Sequence, residues 1–145
     1  MEQNMRLTLR TLSFDETGSG QREEYTLPAR IAADGDILRL FYEQNEEGVV
    51  AKTTISFKSG TPCVVEMEQS GARACFMRFD ASREHTGEYR VKGLPTFPFS
   101  IKTRKVENEL TEEGGRMLLD YEMDFGGARM RMRLSLLATR EGAKV

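Results

Sequence analysis

The stretch LLDYEMDFGGARMRMRLSLL (residues 118–137) contains two alternating segments separated by Gly126 and Gly127. Paired glycines accept the backbone angles of a two-residue hairpin turn, so the segments are predicted to form adjacent antiparallel strands. On the apolar side, Tyr121 should face Met132. On the polar side each arginine should oppose a carboxylate, in the pairs Asp120–Arg133, Glu122–Arg131 and Asp124–Arg129. This pairing favours a charge-neutralised outer face over a nucleic-acid-binding stripe.

The same period-two alternation continues through most of the chain and is typical of strands with one buried face. Turn signals rich in Gly, Asp and Pro separate the segments. The predicted strands are 5–15, 24–33, 36–44, 49–57, 63–69, 73–79, 87–92, 96–107, 115–125 and 128–139. Consecutive strands are predicted to pair as hairpins, with Ile31 opposite Leu38, Tyr42 opposite Ala51, Ile55 opposite Val65, and Met67 opposite Cys75.

An antiparallel meander must cover its apolar face, either by closing into a barrel or by folding into a sandwich. Sequential hairpins favour an all-β, antiparallel up-and-down barrel of about eight to ten strands. The first and last strands are long enough to pair and close it. No linker or composition shift divides the chain, so residues 1–145 are predicted to form a single domain.

Composition indicates an ordinary soluble protein. Of 145 residues, 39% are hydrophobic and 30% charged, and the formal net charge is −2, which gives no overall attraction to nucleic acid or to acidic membranes. No apolar segment has the length of a signal peptide or a membrane span. The two cysteines, Cys63 and Cys75, are predicted to be buried, reduced and too far apart for a disulfide. We expect a cytoplasmic protein with no nucleic-acid partner and no membrane contact.

The inward face suggests a ligand-binding interior. A barrel of this size is either filled by side chains or holds one small ligand. Methionines adapt to irregular apolar guests, and tyrosine hydroxyls can orient them. The predicted ligand-binding residues, near an entrance formed by the loops around His85 and Tyr89, are Met77, Phe79, His85, Tyr89, Phe99, Tyr121 and Met132.

Two other functions remain open. The core could be filled, and the protein could act through a protein partner or as a homodimer, using a strand edge or outward apolar residues at Val50, Phe76, Leu118 and Leu137. An enzyme using His85 with nearby carboxylates is the third hypothesis. We predict no catalytic residues and no cofactor. We also predict no metal site, because a single histidine argues against a histidine-based site and two separated cysteines cannot supply a zinc cage.

The segments SGARACFMRFDASREHTGEYRVKG, SIKTRKVENEL and EEGGRMLLDYEMDFGG resemble the YwiB-like family of bacterial proteins. The resemblance covers most of the chain and rests on the order and spacing of Gly71, Met77, Phe79, His85, Tyr89, Gly93, Thr103, Gly115, Tyr121 and Leu134. It implies a lipocalin-like (calycin-type) β-barrel and a bacterial source, and it implies no particular activity. Between the seventh and eighth strands, KGLPTFP replaces the compact Tyr-Gly turn of the family. Lipocalins carry a tryptophan near the first strand, and this chain has no Trp, so their ligands are not transferred to it.

Overall fold

The computed structural model describes residues 2–91 and 93–140, and within these ranges the chain forms ten β-strands and no helix. The strands are β1 (Glu2–Phe14), β2 (Gly20–Asp34), β3 (Ile37–Glu46), β4 (Val49–Lys58), β5 (Thr61–Gly71), β6 (Arg73–Phe79), β7 (His85–Val91), β8 (Phe97–Asn108), β9 (Gly115–Phe125) and β10 (Ala128–Arg140). Alternate residues are buried, as β4 illustrates with Ala51, Thr53, Ile55 and Phe57. The period-two pattern in the sequence therefore corresponds to strands in the structure.

The sheet closes on itself. Each strand pairs antiparallel with the next along the chain, and β1 pairs with β10 from Met5 opposite Arg140 to Phe14 opposite Arg131. This pairing removes the free edges that the first and last strands of an open sheet would expose. The predicted antiparallel up-and-down barrel, closed by its terminal strands, is confirmed.

Register was predicted correctly at the last hairpin. Gly126 and Gly127 form its turn with φ of 60° and 100°, and Tyr121 faces Met132. Four earlier hairpins were predicted wrongly, each by two residues. Ile31 faces Leu40, Tyr42 faces Thr53, Ile55 faces Met67, and Met67 faces Met77.

At two of these hairpins, β2–β3 and β3–β4, the error comes from the position or length of the turn. β3 and β4 extend to Glu46 and Val49, so the loop expected over 45–48 is a two-residue turn at Glu47 and Gly48, both with positive φ. The β2–β3 turn, expected at residues 34–35, lies one residue later, at Gly35 and Asp36. A shift of two residues keeps each side chain on its face, so the predicted inward face was unaffected.

The two ends of the barrel differ in packing. Ten large side chains less than 2% exposed fill the end that holds the β2–β3, β4–β5, β6–β7 and β8–β9 connections: Met5, Leu7, Ile31, Leu40, Ile55, Val65, Phe79, Ile101, Met117 and Leu119. Leu110, in the β8–β9 connection, joins this core. Asn108 holds the connection in place, because its Nδ2 donates to the Pro62 carbonyl and its Oδ1 accepts from the Leu110 amide. We call this the filled end.

The opposite end carries the β1–β2, β3–β4, β5–β6, β7–β8 and β9–β10 connections, and we call it the open end. Here β2 extends beyond its pairing with β3, which begins at Ala29, while it stays paired with β1 as far as Gly20. Pro28, which has no N–H to donate, lies directly before that pairing begins. None of the described segments is a helix with the length and apolarity needed to cross a membrane.

Candidate functional site

A cavity of about 630 Å³ occupies the open end of the barrel. This volume lies within the range of small-molecule sites. Nearly all strands contribute to its wall, through Leu9, Thr11, Ser13, Gln21, Glu23, Tyr25, Tyr42, Gln44, Met67, Gln69, Arg73, Met77, Tyr89, Tyr121, Met123, Phe125, Met130, Met132, Arg133 and Leu134. The barrel is therefore packed at one end and hollow at the other.

The cavity wall is partly polar on β3, β5 and β6, where Gln44, Gln69 and Arg73 line it. The registers of β3 to β6 place Tyr42, Thr53, Gln69 and Cys75 in one row around the barrel, above the apolar row of Leu40, Ile55, Met67 and Met77. One row nearer the open end, Gln44 pairs with Ala51 and Ala51 with Gly71. Arg73, half-buried, follows on β6. The lining changes from apolar to polar along these strands toward the opening.

Strands β7, β9 and β10 form an apolar wall that stays apolar up to the opening. Its residues are Tyr89, Met123, Phe125, Met130 and Met132. The Tyr89 and Phe125 rings meet edge to face, with centroids 6.2 Å apart. Flexible thioethers beside aromatic rings suit guests of irregular shape.

Two buried tyrosines form the floor of the cavity. Burial raises the pKa of the Tyr42 hydroxyl to about 12, although a hydrogen bond with Thr53 and the charge of Arg73 act in the opposite direction. Burial likewise raises the pKa of Tyr121, whose ring packs on Phe79 at 4.7 Å. Both tyrosines therefore remain neutral at physiological pH and can donate or accept a hydrogen bond.

The structure divides the seven predicted ligand-binding residues into two groups. Met77, Tyr89, Tyr121 and Met132 lie together on the cavity wall. Phe79, Phe99 and His85 do not line this cavity, because Phe79 and Phe99 are packed in the core and His85 lies at the filled end of β7. The predicted entrance beside both His85 and Tyr89 is thus corrected, since these two residues lie toward opposite ends of the same strand.

His85 lies in a part of the sheet where few residues of neighbouring strands are paired. Among the described residues, β6 and β7 pair at two positions, Arg73 with Val91 and Ala74 with Arg90. Farther along, the His85 Nε2 lies 3.2 Å from the Phe76 carbonyl oxygen, and its ring contacts Phe76 and Phe99. The histidine side chain therefore closes the gap between two strands that have separated, and we call this gap the β6–β7 seam.

The two cysteines form no disulfide, and the thiol of Cys75 is not activated. Both lie within the described ranges and are free. Cys75 is buried, and burial raises the pKa of its thiol to about 11, which disfavours the reactive thiolate. Cys63 is exposed, so the prediction that both cysteines are buried is wrong for it. Among the side chains that the structure describes, no three of His, Cys, Asp or Glu are grouped as metal ligands.

Each of the alternating arginines of β10 is paired with a carboxylate. Arg129 and Arg133 pair with the residues opposite them, as predicted, whereas Arg131 pairs diagonally with Asp120 and not with Glu122. Asp120, whose side chain is 8% exposed, binds Arg131 at 3.2 Å and Arg133 at 3.4 Å. Burial alone would raise the pKa of Asp120, but hydrogen bonds and charge from the two arginines lower it below its usual value. Glu122 pairs with Arg104 at 2.8 Å. These contacts support a neutralised outer face.

Sequence reasoning missed the polar part of the cavity. Gln44, Gln69, Arg73 and Glu23 all line it, yet none was among the predicted residues. Their signal was positional, because each stands an even number of residues from a buried apolar residue of its strand. A polar residue at an inward position near a strand end indicates an open barrel mouth.

Together these features define a class of protein: a small, closed, ten-stranded antiparallel barrel that is hollow at one end. Residues 7–134 match the family described as Domain of unknown function (DUF1934), and the chain belongs to that family. A solved structure, the crystal structure of ywiB protein from Bacillus subtilis, superposes with a TM-score of 0.80 over 94% of this chain and 92% of that one, at 19% sequence identity. At this identity the likeness shows the fold. Together with the family match over residues 7–134, it confirms the resemblance to the YwiB-like family. Among curated proteins, none is significantly similar in sequence to this chain.

Proposed function

We propose that the protein is a non-enzymatic binding module that takes a small apolar or amphipathic molecule into the open end of its barrel. The observation that carries the proposal is the 630 Å³ cavity with its wall of methionine, tyrosine and amide side chains. Where the interior of a barrel serves only as a hydrophobic core, side chains pack it along its whole length, as they do at the filled end of this barrel. A hollow end beside a fully packed one supports a cavity kept for a guest.

Four of the predicted residues give the site its character. Met77 and Met132 supply adaptable apolar contacts, while Tyr89 and Tyr121 supply aromatic surface and hydroxyls. Tyr121 and Met132 face each other across the β9–β10 ladder, so their positions are fixed by regular strand pairing. A rigid wall loses little entropy when a ligand binds, which supports useful affinity for a small molecule.

The test is native mass spectrometry of gently purified protein, repeated under denaturing conditions. A bound small molecule that is lost on denaturation supports the proposal and identifies the ligand class. Met132→Trp should then reduce ligand occupancy, because the indole enters the cavity. Leu137→Trp, on the outward face of the same strand and 41% exposed, is the matched control and should leave occupancy unchanged. Equal occupancy in the wild type and Met132→Trp would reject the cavity as the site.

A protein partner, including a second copy of the chain, is the alternative. A groove of about 610 Å³ on the outside of the barrel supports it, since Leu118 and Leu137 line this groove beside charged residues of β1, β2, β8 and β9. Val50 and Phe76, the other two outward apolar residues, are not part of that groove. Sedimentation velocity of the wild type and Leu137→Arg tests it. A dimer that dissociates in the variant would favour association.

The proposal also concerns the cellular compartment and the absence of a nucleic-acid partner. Free cysteines, one exposed and one buried, support a reducing compartment such as the bacterial cytoplasm. The carboxylate partners of Arg129, Arg131 and Arg133 argue against a nucleic-acid partner on that face.

A further inference from the structure

The floor of the cavity holds a polar group whose hydrogen-bonding capacity is unused. Tyr121 lines the cavity and is only 5% exposed. Within the part of the chain that the structure describes, its hydroxyl makes no hydrogen bond. The hydroxyl of Tyr42, on the same floor, bonds with Thr53. Buried polar groups of folded proteins are nearly always hydrogen-bonded, so an unpaired hydroxyl on a cavity-lining residue indicates a partner from outside the chain.

The position of Tyr121 is fixed by its strand and by its ring. Its backbone pairs with Thr103 of β8 on one side and with Met132 of β10 on the other. Its ring packs on Phe79, with centroids 4.7 Å apart. The hydroxyl cannot reach another partner within the barrel unless these core contacts are broken, so the partner must come to it.

The surroundings of this hydroxyl favour an uncharged oxygen on the ligand. A neutral phenol can donate one hydrogen bond to a carbonyl, ether or alcohol oxygen, but it cannot neutralise a charge. Burying an ionised group without a counter-charge is costly. The charged residues that line the cavity already interact within the protein: Glu23 accepts a 2.8 Å hydrogen bond from Tyr25, Arg133 is held by Asp120 at 3.4 Å, and Arg73 is also engaged.

Between Tyr121 and the opening, the inner surface of β9 and β10 is apolar. Met123 pairs with Met130 in the next inward row, and Phe125 follows on β9. From Tyr121 to Phe125 the strand rises by about 13 Å, at roughly 3.4 Å per residue. A ligand whose polar end reaches the floor therefore has apolar wall beside the rest of its length.

We infer that the ligand is an uncharged amphiphile that binds with its polar end innermost. Its carbonyl or hydroxyl oxygen accepts a hydrogen bond from the Tyr121 hydroxyl, and its apolar body lies along β9 and β10 toward the opening. The inference rests on the proposed function and names its ligand class. Tyr121 is the specificity-determining residue, and molecules whose inner end is ionised bind more weakly.

The test compares three naphthalenes of similar shape by isothermal titration calorimetry: 2-acetylnaphthalene, a neutral ketone; 2-isopropenylnaphthalene, its hydrocarbon analogue; and the anion 2-naphthoate. The wild type should bind the ketone more tightly than the anion. Tyr121→Phe should weaken the ketone about fivefold, as loss of one neutral hydrogen bond implies, and leave the hydrocarbon within about twofold. Ser135→Ala, which removes a hydroxyl from the outward face of β10, is the control and should change neither.

Thermal unfolding of the ligand-free protein separates this role from a structural one. Tyr121→Phe removes a hydroxyl without a partner and should not lower Tm, whereas Tyr42→Phe loses its bond with Thr53 and should lower it. An equal fall in Tm for both variants would mean that the Tyr121 hydroxyl is satisfied within the protein, and the inference would be overturned.

The binding results distinguish failure of the inference from failure of the proposed function. A Tyr121→Phe variant that binds the ketone as the wild type does, or a wild type that prefers 2-naphthoate, overturns the inference and leaves the proposed function standing. Binding of none of the three molecules overturns both. If Tyr121→Phe does not fold, the carbonyl carbon resonance of the ketone bound to the wild type is the second measurement. It should lie downfield of its position in hexane, as a hydrogen-bonded carbonyl does, and an unshifted resonance overturns the inference.

Discussion

Leucine-to-alanine substitutions at Leu9 and Leu40 should differ in cost, although the two side chains look alike by burial. Leu9 is 3% exposed and Leu40 is fully buried, and both point into the barrel. Leu9 lines the cavity at the open end. Leu40 lies in the filled end, where it faces Ile31 and Ile55 on the neighbouring strands. The comparison therefore isolates the effect of the cavity.

The magnitudes follow from the void that each substitution leaves. At Leu40 the lost transfer energy combines with a new closed void, and at roughly 24 cal/mol per Å³ the total for such sites is about 3–5 kcal/mol. At Leu9 the removed atoms extend an existing cavity, so the transfer term of about 2 kcal/mol remains without a new closed void. We expect Leu40→Ala to cost at least about 1 kcal/mol more than Leu9→Ala.

Equilibrium urea unfolding followed by circular dichroism measures both costs, provided that the slope with denaturant stays equal among the proteins. Leu136→Ala is a useful third variant, since Leu136 faces Leu9 across the β1–β10 ladder and lies outside the cavity lining. Its cost should resemble that of Leu40→Ala. Equal costs at Leu9 and Leu40 would mean that the open end is packed in solution, and the reasoning would fail.

Three further outcomes are expected. Because the folded state holds the pKa of Asp120 below its usual value, its carboxylate stabilises the barrel at neutral pH, and this contribution is lost as pH falls through the folded-state pKa. Asp120→Asn should therefore cost about 1–3 kcal/mol at pH 7, and the difference should shrink toward pH 3 in urea titrations; a pH-independent difference contradicts this. His85→Ala should speed amide hydrogen exchange on both sides of the β6–β7 seam and leave exchange in β1 and β2 unchanged. An equal effect on the seam and on β1 and β2 would mean that the seam does not depend on this ring. Gly71→Ala should cost more than Gly18→Ala in thermal unfolding, because both glycines have positive φ but an added Cβ collides with backbone at Gly71 alone; equal shifts in Tm would refute the close approach.

The fold was predictable because alternation specifies both the strand and its buried face. Tyr121 and Met132 were placed opposite each other from sequence, since a glycine pair leaves one choice of turn. Register elsewhere was not fixed by pattern, because a two-residue shift leaves the apolar face unchanged and turn length decides between the alternatives. The sequence placed the β2–β3 turn one residue too early, before Asp36, and made the β3–β4 loop around Glu47 two residues too long.

The site was less predictable than the fold. Apolar residues such as Met77 and Met132 were found because they share the inward face, but the same rule also selected Phe79 and Phe99, which lie in packed core. Knowing that a side chain points into the barrel does not tell how far along the barrel axis it lies. Arg73 was missed because a charged residue in a strand is expected to point outward, and its inward position follows from strand parity.

The pairing of β1 with β10 also has a consequence for biosynthesis. Met5 and Arg140 are partners across nearly the whole chain, so the ribosome must release almost all of it before the barrel can close. At roughly 5–20 residues per second, β1 waits on the order of ten seconds with one edge unprotected. The nascent chain needs protection from association during that interval, and such long-range closure also makes folding slow. A chain that lacks β10 would leave that edge of β1 without its partner.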